Sequence, residues 1–306
     1  MSQNPWQAGI AWLDGRFMPL AEAKIPVTDW GYRRSDATYD VVSVCDGAFF
    51  RLDDHLRRFQ ASMAHFRFQP RATIDELRSI LHELVRRAGL SEAYVAMDCL
   101  RAAAPPGLPR HPRNARSYLL AFAVPYVWLM PSEVIARGAH LIIATARRIP
   151  PASVDPRAKN FHWGDMTAAL FEADDAGADN PILLDIAGNV TEGPGFNVFA
   201  VTRGRIATPD RGVLEGITRL SVIELSARLG LPCDIRPVPA EELHSADEIF
   251  ISSTAGGIIG VTRLDGRILG NDRPGPITER LHDTYWHLRR NGWHADPIDY
   301  SRAAAE

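Results

Sequence analysis

The chain is expected to fold as an α+β protein of two domains, and three observations predict it. Its 306 residues are enough for two domains of ordinary size, each with its own core. The first part, about 120 residues long, alternates short strands around tight turns with two amphipathic helices. The remainder alternates apolar strands with helices that stop at glycine.

Taken in order, Ile10–Phe17 reads as two short strands around the Asp14-Gly15 turn, and Thr38–Phe50 repeats the pattern around Asp46-Gly47. A helix follows over Asp53–Phe66. A second runs from Thr73 to Ala88, opened by the capping box Thr73-Ile74-Asp75-Glu76 and closed by Gly89. Strands are expected at Ala93–Leu100 and Ser117–Ala123. Between them, the prolines and glycine of Arg101–Arg113 predict a long irregular loop, of the kind that serves as a binding lid or a connector. These elements place an N-terminal domain over 1–123, a linker over 124–136 and a larger C-terminal domain over 137–306. The second domain opens with a strand at Ala139–Ala144 and carries helices at Asp165–Ala176, Thr218–Leu229, Ala240–His244 and Pro276–Arg290.

Bulk properties narrow the function classes. Hydrophobic residues make up 46% and charged residues 23%, ordinary for a globular protein. A net charge of −3 gives no reason to expect nucleic acid or an anionic membrane as partner. Met1–Trp6 has neither a basic nor an apolar signal region, and the longest apolar run, Leu119–Met130, is too short to cross a bilayer. Cys45, Cys99 and Cys233 are odd in number and form no C-x-x-C, so a reducing cytoplasm is expected and neither a disulfide framework nor a metal site is.

One stretch carries chemistry. Basic charge is borne by arginine nearly everywhere; the only lysines are Lys24 and Lys159. Solubility alone is served as well by Arg, and a leftover surface lysine is the plain alternative. Only Lys can shed its proton when buried and act as nucleophile or base. Lys159 precedes an amphipathic helix, an apolar strand at Ile182–Asp185, and the turn Thr191-Glu192-Gly193-Pro194-Gly195-Phe196-Asn197. Further on, Gly216-Ile217-Thr218 opens a helix, whose N-terminal amides suit a dianion.

This order of lysine, helix, strand and E-G-x-G-x-N turn resembles the fold-type IV pyridoxal-phosphate enzymes, which include branched-chain and D-amino-acid aminotransferases, aminodeoxychorismate lyases and (R)-selective amine transaminases. The likeness spans Gly9 to Asp299. It implies pyridoxal 5'-phosphate between the two domains, a homodimer whose partner closes the substrate pocket, and small-molecule amine and keto-acid substrates. By the resemblance, Lys159 carries the cofactor and shuttles the proton, and Glu192 keeps the pyridine nitrogen protonated. Asn197 belongs to the same turn. The phosphate falls to Gly216, Ile217 and Thr218, to Thr254 in Ser252–Gly257, and to Arg58 in His55-Leu56-Arg57-Arg58-Phe59.

Within that family, the branched-chain enzymes carry a tyrosine five residues after the lysine, where this chain has Gly164. They also carry Y-x-R where it reads Tyr94-Val95-Ala96, and the R-x-Y-x-E of the D-amino-acid enzymes is missing too. The remaining pattern, with Thr38-Tyr39-Asp40-Val41 and Lys159-Asn160-x-x-Trp163-Gly164-Asp165, is similar to the (R)-selective amine transaminases. That likeness implies a substrate pocket lined by Tyr39, Val41, Tyr94 and Ala96, with Arg34, Trp163 and Ala255 beside it. A carboxylate-binding arginine is expected at Arg34, Arg110 or Arg113. Transamination from an (R)-amine to pyruvate or a similar keto acid is expected, with a D- or branched-chain amino-acid aminotransferase and an aminodeoxychorismate-type lyase as alternatives.

Overall fold

The computed structural model describes residues 9–301 and divides the chain into two compact units. Of the described residues, unit 1 comprises 9–127, the short stretch Ala158–Phe161 and 292–301; unit 2 is Trp128–Arg157 with His162–Asn291. Mixed α+β structure is present in both, as the sequence predicts.

Unit 1 is built on an antiparallel sheet of seven strands. In spatial order these are β16 (Ala295–Pro297), β4 (Ala48–Phe50), β3 (Ala37–Cys45), β5 (Ala93–Arg101), β6 (Ser117–Pro125), β1 (Ile10–Leu13) and β2 (Arg16–Pro19). Two helices, α2 (Leu52–His65) and α3 (Ile74–Ala88), cover one face. Leu56 and Phe59 of α2 and Leu77, Leu81 and Leu84 of α3 bury against Val42, Val95, Met97 and Ala121 of the strands. The start of α3 is fixed as its sequence predicts. The Glu76 N–H donates to Thr73 Oγ1 at 3.2 Å and the Thr73 N–H donates to Glu76 Oε2 at 2.7 Å, while Gly89 ends the helix at φ +64°.

Side chains alternate along a strand, so the residues between those core positions share the other face. The pairing register sets their neighbours. Tyr39 stands across from Asp98 and Val41 across from Ala96, and on the other side of β5, Ala96 faces Phe122 and Asp98 faces Leu120.

Unit 2 holds a mixed nine-stranded sheet. Its main path is β12 (Cys233–Ile235), β11 (Arg205–Thr208), β10 (Phe196–Thr202), β13 (Glu248–Ser253), β14 (Gly257–Leu264), β7 (Ala139–Arg147) and β8 (Asn180–Leu184). Two short strands hang off it, β9 (Glu192–Gly193) on β10 and β15 (Arg267–Ile268) on β14. Helices α5 (Gly164–Asp175), α6 (Ile217–Arg228), α7 (Ala240–Ser245) and α8 (Pro276–Arg290) lie where the sequence reading puts helices, to within a residue or two. Val198, Ile249, Ile251, Ile259 and Val261 make the centre of its core.

The division of the chain differs from the expected 1–123, 124–136 and 137–306. Strand β6 runs on to Pro125, and a helix, α4 (Ser132–Arg137), occupies the end of the expected linker. The C-terminal end returns to unit 1 because Ala295 pairs with Phe50 as an extra strand and Ile298 joins that core. Ala158–Phe161 belongs to unit 1 as well, so the lysine and the helix that follows it lie in different units. A five-residue helix, α1 (Trp30–Arg34), and a 3-10 turn at Pro112–Asn114 inside the long loop are additions to the sequence reading. No helix among the described residues is long and apolar enough to cross a membrane.

Candidate active site

The chemistry-bearing residues form two constellations, one in each unit. In unit 1 the backbone of Lys159 is clamped from two elements. Its carbonyl accepts from Thr38 Oγ1 at 2.5 Å and from the Tyr39 N–H at 3.3 Å, and its own N–H donates to Ser62 Oγ at 3.1 Å. A further bridge joins Thr38 to Asn160. The lysine therefore extends the edge of β3, and its Nζ lies 4.2 Å from the centroid of the Tyr39 ring. The Tyr39 ring also packs against Phe161, with centroids 4.6 Å apart and the planes tilted by 39°.

Arg58 sits on α2, facing Asp40 of β3. It donates from Nε to Asp40 Oδ2 at 2.8 Å and from Nη2 to Asp40 Oδ1 at 2.7 Å, a fork that fixes the guanidinium plane. His55 Nδ1 approaches the same Oδ1 at 2.8 Å. Burial pushes the Asp40 pKa up, yet Arg58 and His55 outweigh it and hold the carboxyl well below its ordinary range. Burial lowers the His55 pKa against the opposing pull of Asp40, so the ring is neutral and its Nδ1–H donates to the carboxylate.

The sign of the pH dependence follows. Both folded-state pKa values are depressed, so both contributions are fully present above the unfolded values of about 6.5 and 3.9. Stability is lost as pH falls through the first for His55, then through the second for Asp40. Asp40→Asn is expected to flatten the part of the Tm curve below about pH 4 and to cost about 3 kcal/mol at neutral pH, since Arg58 loses its counter-charge. Thermal unfolding across pH 3–8 checks both; an unchanged acid limb contradicts the assignment.

In unit 2, Glu192 of β9 is buried. Arg148 Nε donates to its Oε1 at 3.2 Å and the Leu214 N–H donates to its Oε2 at 2.8 Å. Arg148 Nη1 also donates to Asp165 Oδ2 at 2.7 Å, so one buried guanidinium bridges two carboxylates. Burial works against the charge of Arg148, but the two acids prevail and hold it protonated. The glycines of the turn answer to space. A Cβ on Gly193 would lie 2.1 Å from the Phe196 ring, and Gly195 adopts φ +84°.

The next strand and helix build an oxyanion cup. Asn197 Nδ2 donates to the Leu214 carbonyl at 2.9 Å, and a Cβ on Gly216 would lie 2.1 Å from Asn197 Oδ1. Gly216 caps α6, and its own N–H donates to the Leu214 carbonyl at 2.9 Å. Gly216 and Asn197 thus shape the cup, while the donors it offers are the first-turn amides of Ile217 and Thr218, which have no partner within the helix. Directly across the sheet from Asn197 stands Ser252, whose buried Oγ has no hydrogen-bond partner among the described residues. An orphaned hydroxyl beside a helix N-terminus fits the phosphate end of an anionic cofactor. The neighbouring turn, with Thr254 at its start, is tied down by Ser253 Oγ donating to the Gly195 carbonyl at 2.8 Å and by the Leu129 N–H donating to the Ala255 carbonyl at 2.6 Å.

The other expected pocket residues scatter in role. Tyr39, Val41, Tyr94 and Ala96 share the face of the unit 1 sheet on which the lysine lies. Arg34 stacks its guanidinium 4.0 Å from the Trp30 ring centroid on α1. Arg110 and Arg113 are exposed on the loop after β5. Trp163 packs on the cluster of Ala144, Met166, Ala169 and Leu183 under α5. Cys45, Asp46 and Glu92 bring ligand atoms within 4.8 Å of one another at the far end of β3, where the Asp46 N–H already donates to Glu92. Sequence reasoning missed Asp40, Arg148 and Asp98. Asp40 is the one charged residue of β3, a signal by which it could have been found; the sequence neighbours of Arg148 and Asp98 give no comparable signal.

The amino-transferase class IV family model matches residues 37–264. The chain is 27% identical over 308 residues to the branched-chain-amino-acid aminotransferase of Salmonella typhimurium, covering 96% of this chain and 98% of that one. Its fold is similar to the branched-chain aminotransferase of Thermoproteus uzoniensis solved with norvaline, at a TM-score of 0.85 and 29% identity over 95% of this chain and 99% of that one. The branched-chain amino acid aminotransferase of Thermobaculum terrenum in its PLP form gives 0.85 and 27%, over 97% and 100%.

Proposed function

The chain belongs to the amino-transferase class IV family, a pyridoxal-phosphate aminotransferase family, and we propose that it acts as a homodimer moving the amino group of an (R)-configured primary amine to a keto acid such as pyruvate. One observation carries the donor class. On the lysine face of β3, β5 and β6 stand Tyr39, Val41, Tyr94, Ala96, Asp98, Leu120 and Phe122, none of them a cation. An α-carboxylate against these strands meets no counter-charge and one acid, so the carboxylate of the keto-acid acceptor falls to Arg34, Arg110 or Arg113, while the apolar part of an amine meets Val41, Ala96 and Phe122.

When bound, pyridoxal phosphate supplies the carbonyl that captures the donor nitrogen and a ring that takes up the electron pair left by the departing proton. Lys159 is the residue that holds the cofactor and moves that proton with its Nζ; its clamped backbone leaves only the side chain to travel. Glu192 holds the proton of the ring nitrogen, kept anionic by the paired Arg148. Arg58, Ile217, Thr218 and Thr254 hold the phosphate, with Asp40 aligning Arg58 and Asn197 supporting the cup.

Titrating the purified protein with (R)-1-phenylethylamine and then the (S) enantiomer tests the reading through the visible band of the bound cofactor. Bleaching by (R) alone, reversed by pyruvate, is the expected result. The names of the relatives favour a second reading, a branched-chain amino-acid aminotransferase. Bleaching by L-leucine with both enantiomers inert would establish it instead.

A further inference from the structure

Asp98 stands out on the lysine face of unit 1. It lies mid-strand in β5, with Tyr39 across from it on β3, Leu120 across on β6, and Ala96 and Leu100 two residues away on its own strand. Two of these neighbours, Ala96 and Leu100, are buried and apolar. Its carboxyl has no hydrogen-bond or ion-pair partner among the described residues. Burial alone pushes that acid up to about 7. An unpaired acid in such a place destabilises the fold, and a Leu or Val would pack there at lower cost. The residue retains partial exposure, so a ligand can reach it.

We propose that Asp98 determines donor specificity by receiving the second, non-reacting ammonium of an aliphatic diamine. The inference rests on the amine-donor reading above. Tyr39 relates the two ends of such a substrate: its ring touches the lysine amine on one side, and its strand partner is Asp98. Ala96 and Leu120 offer apolar walls to the methylene chain. A charge-assisted bond to a carboxylate with no other protein partner is strong, and no contact within the protein has to be broken to make it.

An achiral donor pair tests this without touching the stereochemical question. The half-reactions of the holoenzyme with butane-1,4-diamine and with butan-1-amine are compared in the parent, Asp98→Asn and Asp98→Leu. The parent is expected to prefer the diamine at least about tenfold in kcat/KM, with the difference in KM. Asp98→Asn is expected to bring the ratio near one, and Asp98→Leu to reverse it while raising Tm. A packing role would lower both donors equally, and that result, like an unselective parent, overturns the proposal. Turnover of (R)-1-phenylethylamine without a diamine preference removes the role of Asp98 alone. Turnover of L-leucine with every amine inert removes the donor reading and the role of Asp98 with it.

Discussion

Lys159→Ala is expected to abolish amino-group transfer while leaving the fold in place. Loss of the group proposed to carry the cofactor and move its proton should lower kcat/KM by at least about 10⁴-fold. The fold should survive because the three clamping hydrogen bonds are made by the backbone of residue 159, and Ala keeps them. Among the contacts the shorter side chain gives up is the approach of Nζ to the Tyr39 ring, worth about 1 kcal/mol. Lys159→Arg separates charge from chemistry: it retains the cation and should be equally inactive, since a guanidinium does not give up its proton. Turnover within tenfold of the parent in either variant, measured beside Tm, would refute the assignment.

The second large effect is expected at Glu192, where two variants divide chemistry from stability. Glu192→Gln keeps an acceptor for Arg148 and for the Leu214 N–H, so the fold should hold. It removes the negative charge that keeps a ring nitrogen protonated, and kcat should fall by about 10²–10³-fold, the scale of losing one preorganised electrostatic partner. Glu192→Ala should add a destabilisation of about 3–5 kcal/mol, because buried Arg148 is left with Asp165 alone. Equal stability of the two variants would show that the Arg148 bridge does not need Glu192. Parent-like turnover in Glu192→Gln would sink the role of its charge.

The elements legible in the sequence are those with a local cause. Helix α3 announces itself through Thr73, Glu76 and Gly89, and the hairpins through Asp14-Gly15 and Asp46-Gly47. The elements missed lack one. At five and six residues, α1 and α4 make fewer than two turns, too short to show a helical period. Strand β16 exists only because the distant Phe49 and Phe50 offer an edge to pair with. Strands β13 and β14 are buried along most of their length, so they show no alternation of apolar and polar residues.

The proposed reactive groups of the site were legible in the sequence alone: Lys159, the Glu192 turn with its glycines, and the Gly216-Ile217-Thr218 helix start. Each is a contiguous motif, because close backbone approach and free helix amides depend on residues next to one another. What surrounds those groups was decided only by tertiary structure. Arg58 is held by Asp40, 18 residues earlier, and Glu192 by Arg148, 44 residues away. Asp98 meets Tyr39 through strand register. A one-residue slip of β5 would turn Asp98 to the helix face and Cys99 to the lysine face, and with apolar residues on both faces the strand's own pattern specifies that register only weakly.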